Sequence, residues 1–266
     1  MDDELRRKKI EQLGDELYDA LRTRRTVTPL TDRWPEVTIE DAYHVSLRMV
    51  NRRIEDDGEK VIGKKIGVTS PAVQEMLGVF QPDFGYLTDE MLYPNGGPMP
   101  ISERLIQPRA EGEIAFMLKR DLNGPGVTND DVLDATDYVM PCFEVVDSRI
   151  RDWNVKIQDT VADNASCGLF VLGEERVSPT GLDFPSLTMR VYKNGRFLSE
   201  GLGSAALGSP LNCVSWLANT LSQFGITLNA GDVVLSGSLV PLEPVMAGDE
   251  MRLEVEGVGT ASVRFT

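Results

Sequence analysis

The first sixty residues carry the rhythm of helices. Over residues 4–25, Ile10, Leu13, Leu17 and Leu21 recur every three or four positions among charges, which predicts one apolar helix face. A second helix is predicted from Thr38, with Asp41 as a variant capping box and Tyr43, Leu47, Val50 and Ile54 as its stripe. Thr28-Pro29-Leu30-Thr31 between them reads as a loop. The pattern then changes. Val61 to Val68 looks like a strand, and Ser70-Pro71 opens a short helix. Residues 82–100 carry enough Gly and Pro to read as a long irregular connection. Strand-like runs follow at 104–119, 139–150, 167–172, 187–193, 196–200, 232–236, 250–256 and 259–265. Asn194-Gly195 between two of them signals a tight hairpin. Helices interrupt at 129–137 and 210–224, the second capped by Ser209, with Pro210 in its first turn and Gly225 at its end. Helices first and strands afterwards favour an α+β fold over an alternating sheet. A helical N-terminal region, residues 1–58, is expected beside a β-rich part, residues 59–266.

Charge narrows the partners. Acidic residues number 42 against 27 basic, a formal net charge of −15. Such a field repels phosphate, so neither nucleic acid nor an anionic membrane is expected, and a divalent cation is the more natural partner. The longest uncharged stretch, 201–231, could cross a membrane by length, but Gly208, Pro210, Asn212, Asn219 and Gln223 break it into a core helix. The N-terminus is charged and lacks the apolar core of a signal peptide, so a cytoplasmic location is expected. Cys142, Cys167 and Cys213 are odd in number and widely spaced, which reads as free thiols.

Four segments could carry chemistry. In Arg109-Ala110-Glu111-Gly112-Glu113, a strand would point Glu111 and Glu113 to one face, about 6–7 Å apart. They are either a solvated face or a pair gathered around a hard cation such as magnesium or manganese. Glu144 sits in the apolar run Cys142–Val146, where a free carboxylate is costly. Either a metal or Arg149 would offset that cost. Of Lys64 and Lys65 on one strand, one must face inward if one face is buried. Gln158 to Cys167 reads as a polar loop suited to substrate hydrogen bonds. Gly201-Leu202-Gly203-Ser204-Ala205-Ala206 matches the dinucleotide pattern but follows a hairpin strand rather than opening a βαβ unit. His44 is the single histidine, so no histidine triad or multi-histidine metal site can be assembled.

Several longer motifs carry a family resemblance. Gly63-Lys64-Lys65-Ile66-Gly67-Val68-Thr69-Ser70, Gln81-Pro82-Asp83-Phe84-Gly85-Tyr86-Leu87 and Gln107-Pro108-Arg109-Ala110-Glu111-Gly112-Glu113-Ile114 resemble the 2-hydroxypenta-2,4-dienoate (2-keto-4-pentenoate) hydratases. Cys142 to Ile150, Asp159 to Gly168 and Ser236 to Leu242 extend the likeness over nearly the whole chain. The resemblance implies the fumarylacetoacetate hydrolase-like superfamily, with a mixed β-sandwich roll and a catalytic part at residues 59–266. It implies a lyase of aromatic meta-cleavage that hydrates 2-hydroxypenta-2,4-dienoate to 4-hydroxy-2-oxopentanoate. Glu111, Glu113 and Glu144 fall on metal-ligand positions for Mg2+ or Mn2+. Lys65, Asp83 and Ser166 fall around the substrate: Lys65 for the enolate and its protons, Asp83 for the water, Ser166 for the substrate carboxylate. Where relatives often carry His before Gln-Pro-Asp, this chain has Phe80. The resemblance also implies a homo-oligomer and a complex with 4-oxalocrotonate decarboxylase. That decarboxylase activity, or a subunit stabilising that enzyme, is the alternative expectation. A carbon–carbon hydrolase using a His–Glu pair is disfavoured by the lone His44.

Overall fold

The computed structural model describes residues 2–266. Helix α1 (Asp3–Thr23) is capped by Asp2 and lies against α3 (Ile39–Asp57), with a helical turn, α2 (Leu30–Arg33), between them. The turn replaces the loop expected there. The capping box of Thr38 and Asp41 forms as the sequence predicts, and Arg6 of α1 grips the same Asp41 carboxylate at 2.6 Å. The end of α3 is tied to the rest by a buried group: Arg53 pairs with Glu59 at 2.8 Å, and Thr88 donates to the same carboxylate at 2.5 Å.

Strands β1 (Val61–Gly67), β2 (Asp83–Thr88), β3 (Leu92–Tyr93) and β4 (Pro98–Met99) come next, with α4 (Pro71–Leu77) after β1 and α5 (Ile101–Arg104) after β4. The stretch expected to be irregular therefore holds a six-residue strand. Its Gly85 lets β2 approach the 164–167 backbone, where an added Cβ would stand 2.4 Å from the Asn164 carbonyl oxygen. The long hairpin of β5 (Arg109–Leu118) and β6 (Thr136–Val146) follows, bracketing α6 (Asn129–Ala135). Then come α7 (Ile157–Ala162), β7 (Leu169–Leu172), β8 (Thr188–Lys193), β9 (Arg196–Leu202), α8 (Pro210–Leu221), β10 (Val233–Leu235), β11 (Glu243–Pro244), β12 (Glu250–Val255) and β13 (Gly259–Phe265). The β8–β9 hairpin turns at Asn194 and Gly195, both at positive φ, as the Asn-Gly signal requires. The polar loop expected at 158–167 is instead α7 and a following helical turn.

Two sheets result. A mixed eight-stranded sheet runs β2-β1-β10-β5-β6-β7-β3, with β11 beside β5, and a five-stranded sheet runs β4-β13-β12-β8-β9. One face of the large sheet packs on the small one: a Cβ on Gly112 would meet Met189 Sδ of β8 at 2.5 Å and Leu253 of β12 at 3.1 Å. The opposite face is concave. Lys65 on β1 stands three strand spacings from β6, about 14 Å across a flat sheet, and its register partner there is Met140, four residues short of Glu144. The charged ends of Lys65 and Glu144 are nevertheless 3.1 Å apart. Lys64 is buried as well as Lys65, because both faces are covered; Lys64 pairs with Asp232 at 3.1 Å. The expectation that only one lysine turns inward is corrected accordingly.

The β1–β10 pairing leaves no room at Gly63, where an added Cβ would lie 1.9 Å from the Val233 carbonyl oxygen. Because the obstacle is backbone, it cannot rotate away. Gly63→Ala should destabilise the fold by at least about 1–3 kcal/mol and lower the melting temperature by several degrees. An unchanged melting curve would contradict this packing.

Candidate metal centre and active site

Register brings the acids together. In the β5–β6 hairpin, Glu111 lies opposite Glu144 and Glu113 opposite Cys142, so all four side chains leave the concave face. One carboxylate oxygen from each glutamate lies within 4.8 Å of the others. None is solvated: Glu111, Glu113 and Glu144 are 5%, 0% and 1% exposed. Arg149 does not offset Glu144; it forms a buried pair with Asp163 at 2.5 Å. Glu113 Oε2 accepts the Gly237 N–H at 2.7 Å, while Glu113 Oε1 and Glu144 Oε2 have no hydrogen-bond partner. Unpartnered buried carboxylate oxygens are costly unless they are protonated or bound to a cation. An all-oxygen donor set of this kind fits a hard divalent ion such as magnesium.

The charges behave accordingly. Burial and the neighbouring Glu144 push Glu111 up to about 8, against the pull of Lys65. Burial and both other glutamates hold Glu113 well above the ordinary carboxylate range. Burial also raises Glu144, opposed by Lys65. Lys65 Nζ is 3.1 Å from Glu144 Oε1, an ion-pair distance, though misaligned for a hydrogen bond. Burial alone would strip its proton, but Glu144, Asp83 and Glu111 keep Lys65 above the usual lysine value.

Asp83 opens β2 and pairs in register with Gly67 of β1. A Cβ at Gly67 would sit 2.3 Å from Asp83 Oδ1 and 3.4 Å from Lys65 Nζ, so this glycine makes the space in which the two groups meet. Asp83 Oδ2 accepts from Thr160 Oγ1 at 2.8 Å, and Oδ1 has no partner. Burial raises its pKa, partly offset by Lys65. Thr160 is positioned from far along the chain. Thr31 of α2 donates its N–H and hydroxyl to the adjacent Asp159 at 3.1 and 2.8 Å, which fixes α7. The N-terminal helices thus orient Asp83 through α7.

Ser166 is buried, and its hydroxyl has no partner. It ends three consecutive residues, Asn164, Ala165 and Ser166, with φ of 52°, 50° and 53°. Non-glycine residues hold this conformation only when their surroundings enforce it. Asn164 brackets Tyr86 of β2 with hydrogen bonds of 2.8 and 3.0 Å. Arg149 donates to the Asp163 and Cys167 carbonyl oxygens at 2.5 and 2.8 Å, clamping both ends of the turn.

Lys65, Asp83, Glu111 and Ser166 line one small cavity, and Glu113 and Glu144 stand behind Glu111. The sequence shows Thr160 only as part of a polar stretch and gives no sign of the Gly237 N–H, because both act through contacts with residues far away in the chain. Phe80 is 72% exposed and lies outside the cavity lining. His44 is exposed on α3.

A raised carboxylate pKa in the folded state means that the metal-free fold loses this contribution as pH rises from the ordinary Glu value through about 8. Magnesium binding must therefore displace protons. In calorimetry at pH 6.5, using buffers of different ionisation enthalpy, Mg2+ should release protons; affinity should rise toward pH 8.5. Glu113→Gln should weaken binding by more than about 100-fold, beyond the effect typical of a group that only supports a ligand. Binding that is insensitive to pH and to Glu113→Gln would exclude the trio as the ligand set.

The comparisons with known proteins agree with this geometry. Residues 64–266 match the fumarylacetoacetate (FAA) hydrolase C-terminal family. A 2-hydroxypent-2,4-dienoate hydratase from Pseudomonas putida is 70% identical over 82% of this chain and 97% of its own length. A 2-hydroxyhexa-2,4-dienoate hydratase from Comamonas testosteroni is 60% identical over 97% of both. Among solved structures, 4-oxalocrotonate decarboxylase from Pseudomonas putida, complexed with magnesium and adipate, superposes with a TM-score of 0.92 at 36% identity over 98% of both chains. Sequence match, fold and buried acidic trio together establish that the chain belongs to the fumarylacetoacetate hydrolase family.

Proposed function

We propose that this chain is a metal-dependent hydratase that adds water to 2-hydroxypenta-2,4-dienoate, giving 4-hydroxy-2-oxopentanoate, in the meta-cleavage degradation of aromatic compounds. The observation that carries the reading is a trio of buried carboxylates, one of which, Glu111, lines a cavity together with Lys65 and a fourth acid, Asp83, that has one carboxylate oxygen free. The two hydratase relatives at 70% and 60% identity support it over a decarboxylase, for which the likeness is 36%. Glu111, Glu113 and Glu144 would hold Mg2+ or Mn2+. When bound, the ion supplies positive charge that favours the enolate form of the 2-oxo acid and draws electrons from the conjugated chain.

The chain's own residues divide the proton work. Lys65, held toward its protonated form by the facing Glu144, serves to donate a hydrogen bond to the charge developing on the C2 oxygen. The dienol gains a proton at C5 and loses its hydroxyl proton, giving the 2-oxo-3-enoate. Water then adds at C4. Asp83 Oδ1 is free to accept the water's proton, Thr160 fixes the other oxygen, and burial makes the carboxylate a stronger base than one in water. A proton delivered to C3 completes the product. The free Ser166 hydroxyl is placed to donate to the substrate carboxylate. Division into a helical region at 1–58 and a catalytic region at 59–266, a homo-oligomer, and association with a 4-oxalocrotonate decarboxylase belong to the same proposal. No helix among the described residues is long and apolar enough to cross a membrane.

Ultraviolet absorbance of the conjugated dienol reports turnover. It should decay with purified protein, stop with chelator and resume with Mg2+, giving 4-hydroxy-2-oxopentanoate without carbon dioxide. Asp83→Asn should lower kcat by about 10²–10⁴-fold with little change in melting temperature. Full activity in chelator, or in Asp83→Asn, would contradict the assignment.

A further inference from the structure

The walls of the cavity differ in kind. Lys65, Asp83, Glu111, Thr160 and Ser166 give it a polar side. Val73 and Leu77 of α4, Val146 at the end of β6, Trp153 and Leu242 give it an apolar side. Val73, Val146 and Leu242 form a separate small apolar cluster, with Leu77 and Trp153 packed against it. Register fixes where that cluster sits relative to the acids. Along the concave face the pairs run Glu113 opposite Cys142, Glu111 opposite Glu144, and Arg109 opposite Val146. Val146 is therefore one same-face step outward from Glu144, about 7 Å. The far end of a short 2-oxo acid anchored at the carboxylate trio lies within that step.

Charge at this end is controlled as well. Arg109 pairs in register with Val146 and is half-buried. Its guanidinium is not part of the cavity wall; it stacks 4.8 Å over the Trp153 ring and reaches Met76 Sδ at 3.1 Å. The indole is pinned in turn by its N–H to the Gln107 carbonyl oxygen at 3.1 Å. Among the described residues, the only cation lining the cavity is Lys65, which already faces Glu144. A carboxylate pushed to the apolar end would be desolvated with no partner.

We propose that Val73, Leu77, Val146, Trp153 and Leu242 form the subsite that reads the C5 end of the substrate, admitting hydrogen or a small alkyl group and rejecting a second carboxylate. The assignment rests on the hydratase reading above and deepens it, because it makes the far end of the substrate the feature that separates a hydratase substrate from a diacid. Leu77 and Val73, carried on the two turns of α4, set the length of alkyl chain that fits.

Stable 2-oxo acids test the subsite without turnover. Binding to the Mg2+-loaded protein is measured by calorimetry for 2-oxopentanoate, 2-oxohexanoate, 2-oxoheptanoate and 2-oxoadipate. The diacid should bind at least tenfold more weakly than 2-oxohexanoate, which has the same chain length. Leu77→Ala should shift the ratio of 2-oxoheptanoate to 2-oxopentanoate affinity by about tenfold toward the longer acid, the scale of one methylene in an apolar pocket. Leu77→Phe should shift it the other way, and melting curves confirm that both variants fold. A diacid that binds as tightly as 2-oxohexanoate, or a ratio unmoved in both variants, overturns the subsite. Dienol turnover is measured in parallel. If turnover is absent but the oxo-acid order holds, the reaction assignment falls and the subsite stands; turnover with a flat series has the reverse meaning.

Discussion

Mutual repulsion among Glu111, Glu113 and Glu144 is the constraint around which this fold is arranged. Three carboxylates share a space in which one oxygen from each lies within 4.8 Å of the others, and all are withdrawn from water. Lys65 is one positive charge against three, and Asp83 adds a fourth acid nearby. Without a further cation the group must hold protons, which is why burial and neighbouring charge raise all three glutamates. A dication removes the conflict and leaves Lys65 and Asp83 facing the substrate side.

Much of the remaining structure holds that arrangement in place. The large sheet is bent so that side chains three strands apart meet, and Gly112 keeps the rear of the acid-bearing strand flush against the second sheet. The left-handed turn at 164–166 stays strained because Asn164 locks it to β2 and Arg149 clamps its two ends. The pair Arg149–Asp163 is fully buried and well hydrogen-bonded, and its part is to hold backbone rather than to meet substrate. The N-terminal helices act at a distance, through Thr31, Asp159 and Thr160, on the orientation of Asp83.

The sequence made the trio visible because strand parity alone puts Glu111 and Glu113 on one side, and an acid inside the apolar run around Glu144 demands a partner. The choice between a metal and Arg149 for Glu144 was not legible, since it depends on a pairing with Asp163 made across a turn. Lys65 was legible as an inward lysine only under the assumption of a single buried face; the second cover, over Lys64, comes from tertiary packing that periodicity does not encode. The short strand at Asp83–Thr88 hid among Gly and Pro residues because its glycine serves close backbone approach rather than a turn. Helix α7 hid because it is short and its buried residues are mixed: Asp159 and Thr160 hydrogen-bond α2 and Asp83, which leaves Ile157 and Val161 as a single apolar pair too brief to mark a helix. Asp83 and Ser166 were assigned through family resemblance, and their roles depend on contacts far away in the chain.

Anomalous diffraction from crystals grown with excess Mn2+ tests the central claim most directly. The account predicts one peak per chain, bounded by Glu111, Glu113 and Glu144 at about 2.0–2.3 Å from their oxygens, the range for hard oxygen-ligated cations. A site without a peak, or manganese bound elsewhere while the three carboxylates stay together, would contradict it.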